Sequence, residues 1–139
     1  MFYRRYIKVT EFLDRQYGHL ADWMCQRVLM CLHHNQVYVE QDSRGDVVVF
    51  CGWWVIDQAD LDMVAGKRGI PVDITKGDMI WIMDGACVSP GGMARAQRHL
   101  KERYPVSSGI KGVACLRNDE RLVVNMRWHG VDDISGGLA

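Results

Sequence analysis

The stretch DMIWIMDGACVSPGGMARAQRHLKERYP, from Asp78 to Pro105, decides the fold of this chain. Its first part, DMIWIMDGACV, is nearly continuously apolar, which is typical of a strand buried on both faces. The segment GMARAQRHLKERY then predicts a helix that begins at Gly92 and stops before Pro105. Between them lies SPGG, so a strand, a glycine turn and a helix follow one another directly.

This glycine turn predicts an anion-binding site. The first backbone N–H groups of a helix lack partners within the helix, and they lie at the positive end of its dipole. A strand that leads through glycines into a helix therefore offers donors to a phosphate, and Arg95 and Arg98 could add charge-assisted contacts to it. Pro and Gly also occur in such turns only because the chain must bend, so a purely structural role stays open.

The N-terminal half reads as two helical segments and a hairpin. Val9–Tyr17 is a weakly helical segment opened by Thr10, and His19–Leu32 has apolar residues at three- and four-residue steps. The sequence QVYVEQDSRGDVVVFCGWWVI then contains two β-rich runs separated by the turn Asp42–Gly45, which is a hairpin signal.

The remaining segments complete an α+β layout. Residues 57–76 predict a loop with a short helix at Gln58–Val64, and IKGVACL and RLVVNMRW predict a last hairpin around the turn 117–120. The order of helices and strands favours a mostly antiparallel central sheet flanked by helices. With no repeat or linker, we predict one domain over residues 1–139, with a frayed Gly-rich tail over about 131–139.

Composition excludes several classes of protein. The charges balance, with 17 Lys+Arg against 17 Asp+Glu, and no basic patch is interleaved with aromatic residues, so we expect no nucleic-acid partner. No apolar run is long enough to span a membrane, and no secretion signal begins the sequence. The five cysteines lack disulfide-scaffold density and metal-ligand spacing, which predicts reduced thiols in a cytoplasmic protein and no metal site.

Several short motifs occur in the order seen in a known group of enzymes. The chain resembles the GNAT acyltransferase fold, and more closely the toxin-activating lysine acyltransferases, the HlyC-like family. The resemblance covers residues 19–130. It is carried by His19, Asn35-Gln36-Val37-Tyr38, Cys51-Gly52-Trp53, Trp81-Ile82-Met83-Asp84, Gly91-Gly92, Tyr104-Pro105 and His129-Gly130.

The resemblance implies a catalytic pair and a carrier site. His19 and Asp84 match the catalytic histidine and aspartate of that family, and the glycine turn matches its thioester-carrier loop. A histidine with an ordinary pKa suits the deprotonation of a lysine, and a carboxylate can orient the imidazole and stabilise its cation. The co-substrate implied is acyl-ACP or acyl-CoA, and the acceptor is a protein or a small amine. The carrier-site residues are Val88, Gly91, Gly92, Met93, Ala94 and Arg95.

Each of these residues also has a structural explanation. His19 stands beside Gly18 where a helix is expected to start, so it could act as a polar capping residue. Asp84-Gly85 is a common turn pair and could form a turn or a bulge with no chemistry. Two hypotheses therefore remain. The first is an acyltransferase; the second is a non-catalytic binding or structural protein of a phage or mobile element, which the short chain and the degenerate sequence GGMARA favour.

Overall fold

The fold is α+β, with four helices and a five-stranded mixed sheet among the described residues. A computed structural model describes residues 2–117, 121–126 and 128. The predicted turn residues 118–120, the His129-Gly130 pair and the predicted tail over 131–139 lie outside the described residues. The helices are α1 (Phe2–Tyr17), α2 (Asp22–His33), α3 (Leu61–Ala65) and α4 (Gly92–Arg103). The strands are β1 (Val37–Gln41), β2 (Val47–Ile56), β3 (Met79–Cys87), β4 (Gly112–Leu116) and β5 (Leu122–Asn125).

The strands are hydrogen-bonded in the order β1-β2-β3-β4-β5. β1 and β2 form the predicted antiparallel hairpin, with Val37 opposite Gly52, and β4 pairs antiparallel with β5. β3 and β4 are parallel, with Met79 opposite Gly112, because α4 lies between them in sequence and carries the chain back to the same end.

Two compact units divide the chain. One consists of Met1–Trp53 and Met83–His99, and the other of residues 54–82 together with the described residues from Leu100 onward. The boundaries fall inside β2 and inside β3. All residues of the predicted catalytic pair and carrier loop belong to the first unit, so the site can be described within that unit alone.

In the first unit, α1 is longer than predicted. The prediction that this helix starts at Val9 is wrong, because it begins at Phe2 and no helix breaker occurs before Gly18. The buried positions Val9, Phe12 and Leu13 recur at the helical period, whereas the earlier turns expose basic side chains and give a weaker apolar signal.

The start of α2 also differs from the prediction. We predicted a helix from His19, but α2 begins at Asp22, and its N-cap residue Ala21 has an extended backbone, with φ −68° and ψ 156°. Gly18, which follows the last residue of α1, has φ +77°. Its N–H donates to the Asp14 carbonyl at 2.8 Å, and this bond ends α1. His19 therefore lies in a short connection between two helices.

The strand and helix around the glycine turn agree with the prediction. β3 covers most of the predicted strand, but only its first half is mostly buried, and the chain becomes more exposed from Asp84 onward. α4 begins at Gly92 as predicted and ends before Pro105. In the second unit the short helix predicted near Gln58–Val64 is confirmed as a 3-10 turn followed by α3.

Candidate active site

His19 occupies the connection between α1 and α2, and its side chain is exposed. The connection is held by the backbone N–H of Leu20, which donates to Asp14 Oδ1 at 3.1 Å. Because Ala21 is the N-cap residue of α2 and has no side-chain capping bond, His19 does not cap that helix. Helix capping, the structural role that was the alternative to catalysis for His19, is therefore not observed.

Asp84 lies in the second half of β3, and its side chain is half-buried. Its Oδ2 is buried and has no hydrogen-bond partner. Burial raises the pKa of this carboxyl from an ordinary 3.8 to about 6, and the nearby Arg27 guanidinium opposes the rise. Asp84 and Gly85 are strand residues, so they do not form the turn that was the alternative explanation for this pair.

Two side chains from the helices contact the residues on either side of Asp84. The Tyr17 hydroxyl donates to the Gly85 carbonyl at 3.4 Å, and Arg27 Nη2 lies 3.9 Å from the Met83 sulfur in a weak hydrogen bond. Tyr17 is the last residue of α1, and Arg27 lies in the middle of α2. The phenol of Tyr17 and the guanidinium of Arg27 therefore both lie within electrostatic range of the Asp84 carboxyl.

Besides burial, the charge of Asp84 raises the pKa of two other side chains, Tyr17 and Cys31. Burial, followed by the Asp84 charge, raises the pKa of Tyr17 to about 12. The same two causes, in the same order, raise the pKa of the buried Cys31 thiol, which is one helical turn after Arg27. Sequence reasoning missed Tyr17 and Arg27. The available signal for Arg27 was its position as a cation one helical turn before a cysteine of the apolar stripe on α2.

One side-chain contact links the end of α1, just before His19, to the strand that carries Asp84. Tyr17 precedes His19 by two residues, and its hydroxyl contacts the residue that follows Asp84. Within the described residues no hydrogen bond or ion pair joins the His19 imidazole to the Asp84 carboxyl, so the structure does not bring the predicted pair into direct contact.

The glycine turn has a complete structural explanation. Gly91 has φ +73°, a left-handed conformation that other residues rarely adopt. At Gly92 an added Cβ would lie 2.4 Å from Val49 Cγ2 and 2.5 Å from the Cys87 sulfur. One glycine therefore permits the turn, and the other lets α4 approach the strands closely.

The Arg95 guanidinium donates four hydrogen bonds within the protein. Its Nε and Nη2 donate to the two carboxylate oxygens of Glu40, at 2.7 and 2.9 Å. Its Nη1 donates to the Pro90 carbonyl at 3.0 Å, and Nη2 also donates to Ser89 Oγ at 3.1 Å. The Glu40 carboxylate also accepts from the Tyr38 hydroxyl, and both contacts, that of Arg95 first, lower its pKa. The guanidinium thus holds the glycine turn against β1.

The donors that remain at the turn are backbone groups. The Val88 N–H donates to the Val48 carbonyl at 2.9 Å, and the Gly92 N–H donates to the Ser89 carbonyl at 3.0 Å. In the part of the chain that the structure describes, the N–H groups of Met93 and Ala94 form no hydrogen bond, and both residues are exposed. The N–H of the exposed Gly91 also forms no hydrogen bond there, so three of the predicted carrier residues offer free donors to a ligand.

The described residues contain neither a metal-binding cluster nor a membrane-spanning helix. Among them, no three His, Cys, Asp or Glu side chains are grouped so that they could hold a metal ion. None of their helices is both long enough and apolar enough to cross a bilayer. All five cysteines are free thiols. No protein-family model matches this chain, and no curated protein matches it.

Proposed function

We propose that the chain is an acyltransferase that moves an acyl group from a thioester carrier, acyl-ACP or acyl-CoA, to an amine. The acceptor we propose is a protein lysine. The observation that carries this proposal is Asp84, whose half-buried carboxyl has an unpaired oxygen and a pKa raised to about 6. Strongly perturbed carboxyls of this kind are concentrated at functional sites.

His19 is the general base in this proposal. A lysine ammonium must lose a proton before it can attack, and an exposed imidazole can accept that proton from an acceptor approaching from solvent. The neutral amine then attacks the thioester carbonyl carbon, an amide C–N bond forms, the C–S bond breaks and the nitrogen loses its second proton to water. The imidazolium returns its proton to the departing thiolate, so His19 is neutral again when the thiol leaves.

Asp84 stabilises the charge that develops on the imidazolium. With a pKa of about 6, the carboxyl is mostly ionised at neutral pH, as this role requires. The Tyr17 contact with Gly85 supports the role, because it links the end of α1, two residues before His19, to the strand that carries this carboxylate. Direct contact between the two groups would require the exposed connection to move when the acceptor binds.

The thioester carrier binds at the start of α4. The free N–H groups of Met93 and Ala94 donate to a phosphate of the carrier, where the helix dipole also favours an anion. Arg95 supports this site by holding the turn in place, since its guanidinium is already bound to Glu40, Pro90 and Ser89.

The second candidate is a non-catalytic binding or structural protein of a phage or mobile element. It is favoured by the glycine turn, because the conformation of Gly91, the packing of Gly92 and the ion pair between Arg95 and Glu40 all stabilise the fold without a ligand. If this candidate is correct, the glycine turn has only a structural role and binds no phosphate.

Acyl transfer separates the two candidates. The assay is release of thiol from acetyl-CoA, octanoyl-CoA and octanoyl acyl-carrier protein, with poly-lysine as the acceptor. We expect His19→Ala to lower the rate by a hundredfold or more, an order of magnitude typical of general-base catalysis, and Asp84→Asn to lower it less. His34→Ala, which removes another exposed histidine, is the matched control and should retain the wild-type rate.

Binding provides a second readout that does not depend on the acceptor. Calorimetry with the three carriers should show binding that is weakened when Met93→Pro removes one of the free donors at the start of α4. Failure of all three carriers to bind the folded protein would favour the non-catalytic candidate. Full activity of His19→Ala would remove His19 from the mechanism.

A further inference from the structure

A cavity in the first unit has no role in the proposed acyl transfer. It is an open cleft of about 690 Å³, a size typical of small-molecule sites. Its basic side chains come from the first two turns of α1, namely Arg4, Arg5 and Lys8. Its apolar lining comes from Leu32 of α2, Val39 of β1 and Val47 of β2. We call this cleft the basic pocket.

Of the three cations of the basic pocket, only Lys8 forms an ion pair with another described residue. Lys8 Nζ lies 3.7 Å from Asp46 Oδ1, in a long and half-exposed ion pair. Arg4 and Arg5 are exposed and form no ion pair within the described part of the chain. The whole chain carries balanced charge, so two unpaired guanidinium groups above one cavity are a local concentration of positive charge.

Apart from the cations and Gln41, the lining of the cleft is apolar. Leu32 and Val47 are buried, and Val39 is half-buried. A guanidinium recognises a phosphate or carboxylate through parallel hydrogen bonds, and an aliphatic wall receives a hydrocarbon chain. The two kinds of surface in one cleft therefore match a ligand that has one charged end and one apolar end.

We propose that the basic pocket binds a small anionic amphiphile, with a phosphate or carboxylate head between Arg4 and Arg5 and a short hydrocarbon chain over Leu32, Val39 and Val47. The site is separate from the surroundings of Asp84. Arg5 and Tyr17 are twelve residues apart on α1, which corresponds to about 18 Å along the helix axis. The proposal therefore does not depend on acyl transfer.

Calorimetry with four probes tests the ligand chemistry. Octyl phosphate and octanoate carry both parts of the ligand, inorganic phosphate carries only the head, and octyl glucoside carries the same chain without charge. We expect at least one of the two anionic amphiphiles to bind one-to-one, at least about tenfold more tightly than phosphate or octyl glucoside, with an affinity that falls as salt is added. Comparison of octyl phosphate with octanoate then identifies the preferred head group.

Variants of the pocket test its location. The double substitution Arg4→Gln and Arg5→Gln should weaken binding of the anionic amphiphile at least about tenfold, because both charge-assisted contacts are lost. Gln41→Glu, at the exposed rim of the cleft, should also weaken it by adding a negative charge. Arg15→Gln removes one charge from the exposed far end of the same helix and should leave the affinity unchanged.

Any of three results would overturn the proposal. Both anionic amphiphiles could fail to bind, octyl glucoside could bind as tightly as they do, or the folded Arg4→Gln and Arg5→Gln double variant could keep the wild-type affinity. Circular dichroism of each variant establishes that it is folded. The readout is binding alone, so it is independent of the outcome for His19 and Asp84.

Discussion

Asp84→Asn should make the unfolding free energy of the protein less dependent on pH. The Asp84 carboxyl has a pKa of about 6 in the folded protein, against an ordinary 3.8, so folding favours its protonated form. This contribution to stability is fully present below pH 3.8 and is lost as the pH rises through 6. The gap between the two pKa values corresponds to about 3 kcal/mol that the ionised carboxylate costs the folded state at neutral pH.

The magnitude can be measured as a difference between two proteins. Chemical denaturation followed by circular dichroism gives the free energy of unfolding of the wild type and of Asp84→Asn at several pH values. Relative to the wild type, the variant should gain about 2 kcal/mol between about pH 4.5 and about pH 7.5, whatever constant offset the new amide introduces. Asp62→Asn, at an exposed carboxylate of α3, is the matched control and should show a much smaller change.

A flat difference between the wild type and Asp84→Asn would refute this reasoning. It would mean that the folded protein does not raise the pKa of the carboxyl, and the proposed function would lose the observation that carries it. A difference of the opposite sign, with Asp84→Asn becoming relatively less stable as the pH rises, would show that the carboxylate is held by a stabilising partner.

Two further substitutions test the neighbours of the site. Gly92→Ala should lower the free energy of unfolding by about 1–3 kcal/mol in chemical denaturation, because its Cβ would overlap Val49 and Cys87, whereas Gln97→Ala on the exposed face of α4 should change it by no more than about 0.5 kcal/mol. Equal stability of these two variants would contradict the close packing of α4. Arg27→Met should raise the pKa of Asp84 above about 6 in a carbon-13 NMR titration of the carboxyl, and an unchanged pKa would remove Arg27 as its electrostatic neighbour.

The central part of the fold could be predicted from sequence because its signals are local. The apolar run of β3, the glycine pair and Pro105 mark a strand, a turn and the end of a helix within one continuous segment. The hairpin of β1 and β2 was equally predictable, since Asp42 Oδ1 accepts the N–H groups of Arg44 and Asp46 and so fixes its turn locally.

The parts that were not predicted depend on contacts between distant residues. Nothing near Arg95 in the sequence identifies Glu40, 55 positions away, as the carboxylate that occupies its guanidinium. The same is true of Tyr17, whose hydroxyl reaches Gly85 across 68 positions. The first turns of α1 were missed for another reason, because their side chains are mostly exposed and their pattern carries little apolar periodicity.

The two halves of the proposed site differ in what they do to stability, and this difference decides which half bears on function. The contacts of Gly91, Gly92 and Arg95 all stabilise the glycine turn, so the turn would be retained whether or not a carrier binds there. The Asp84 carboxylate instead costs the folded state free energy at neutral pH, and a neutral side chain of the same shape would avoid that cost. A residue that destabilises the fold without a structural benefit is best explained by chemistry, and Asp84 is therefore the position at which the acyltransferase proposal should be tested first.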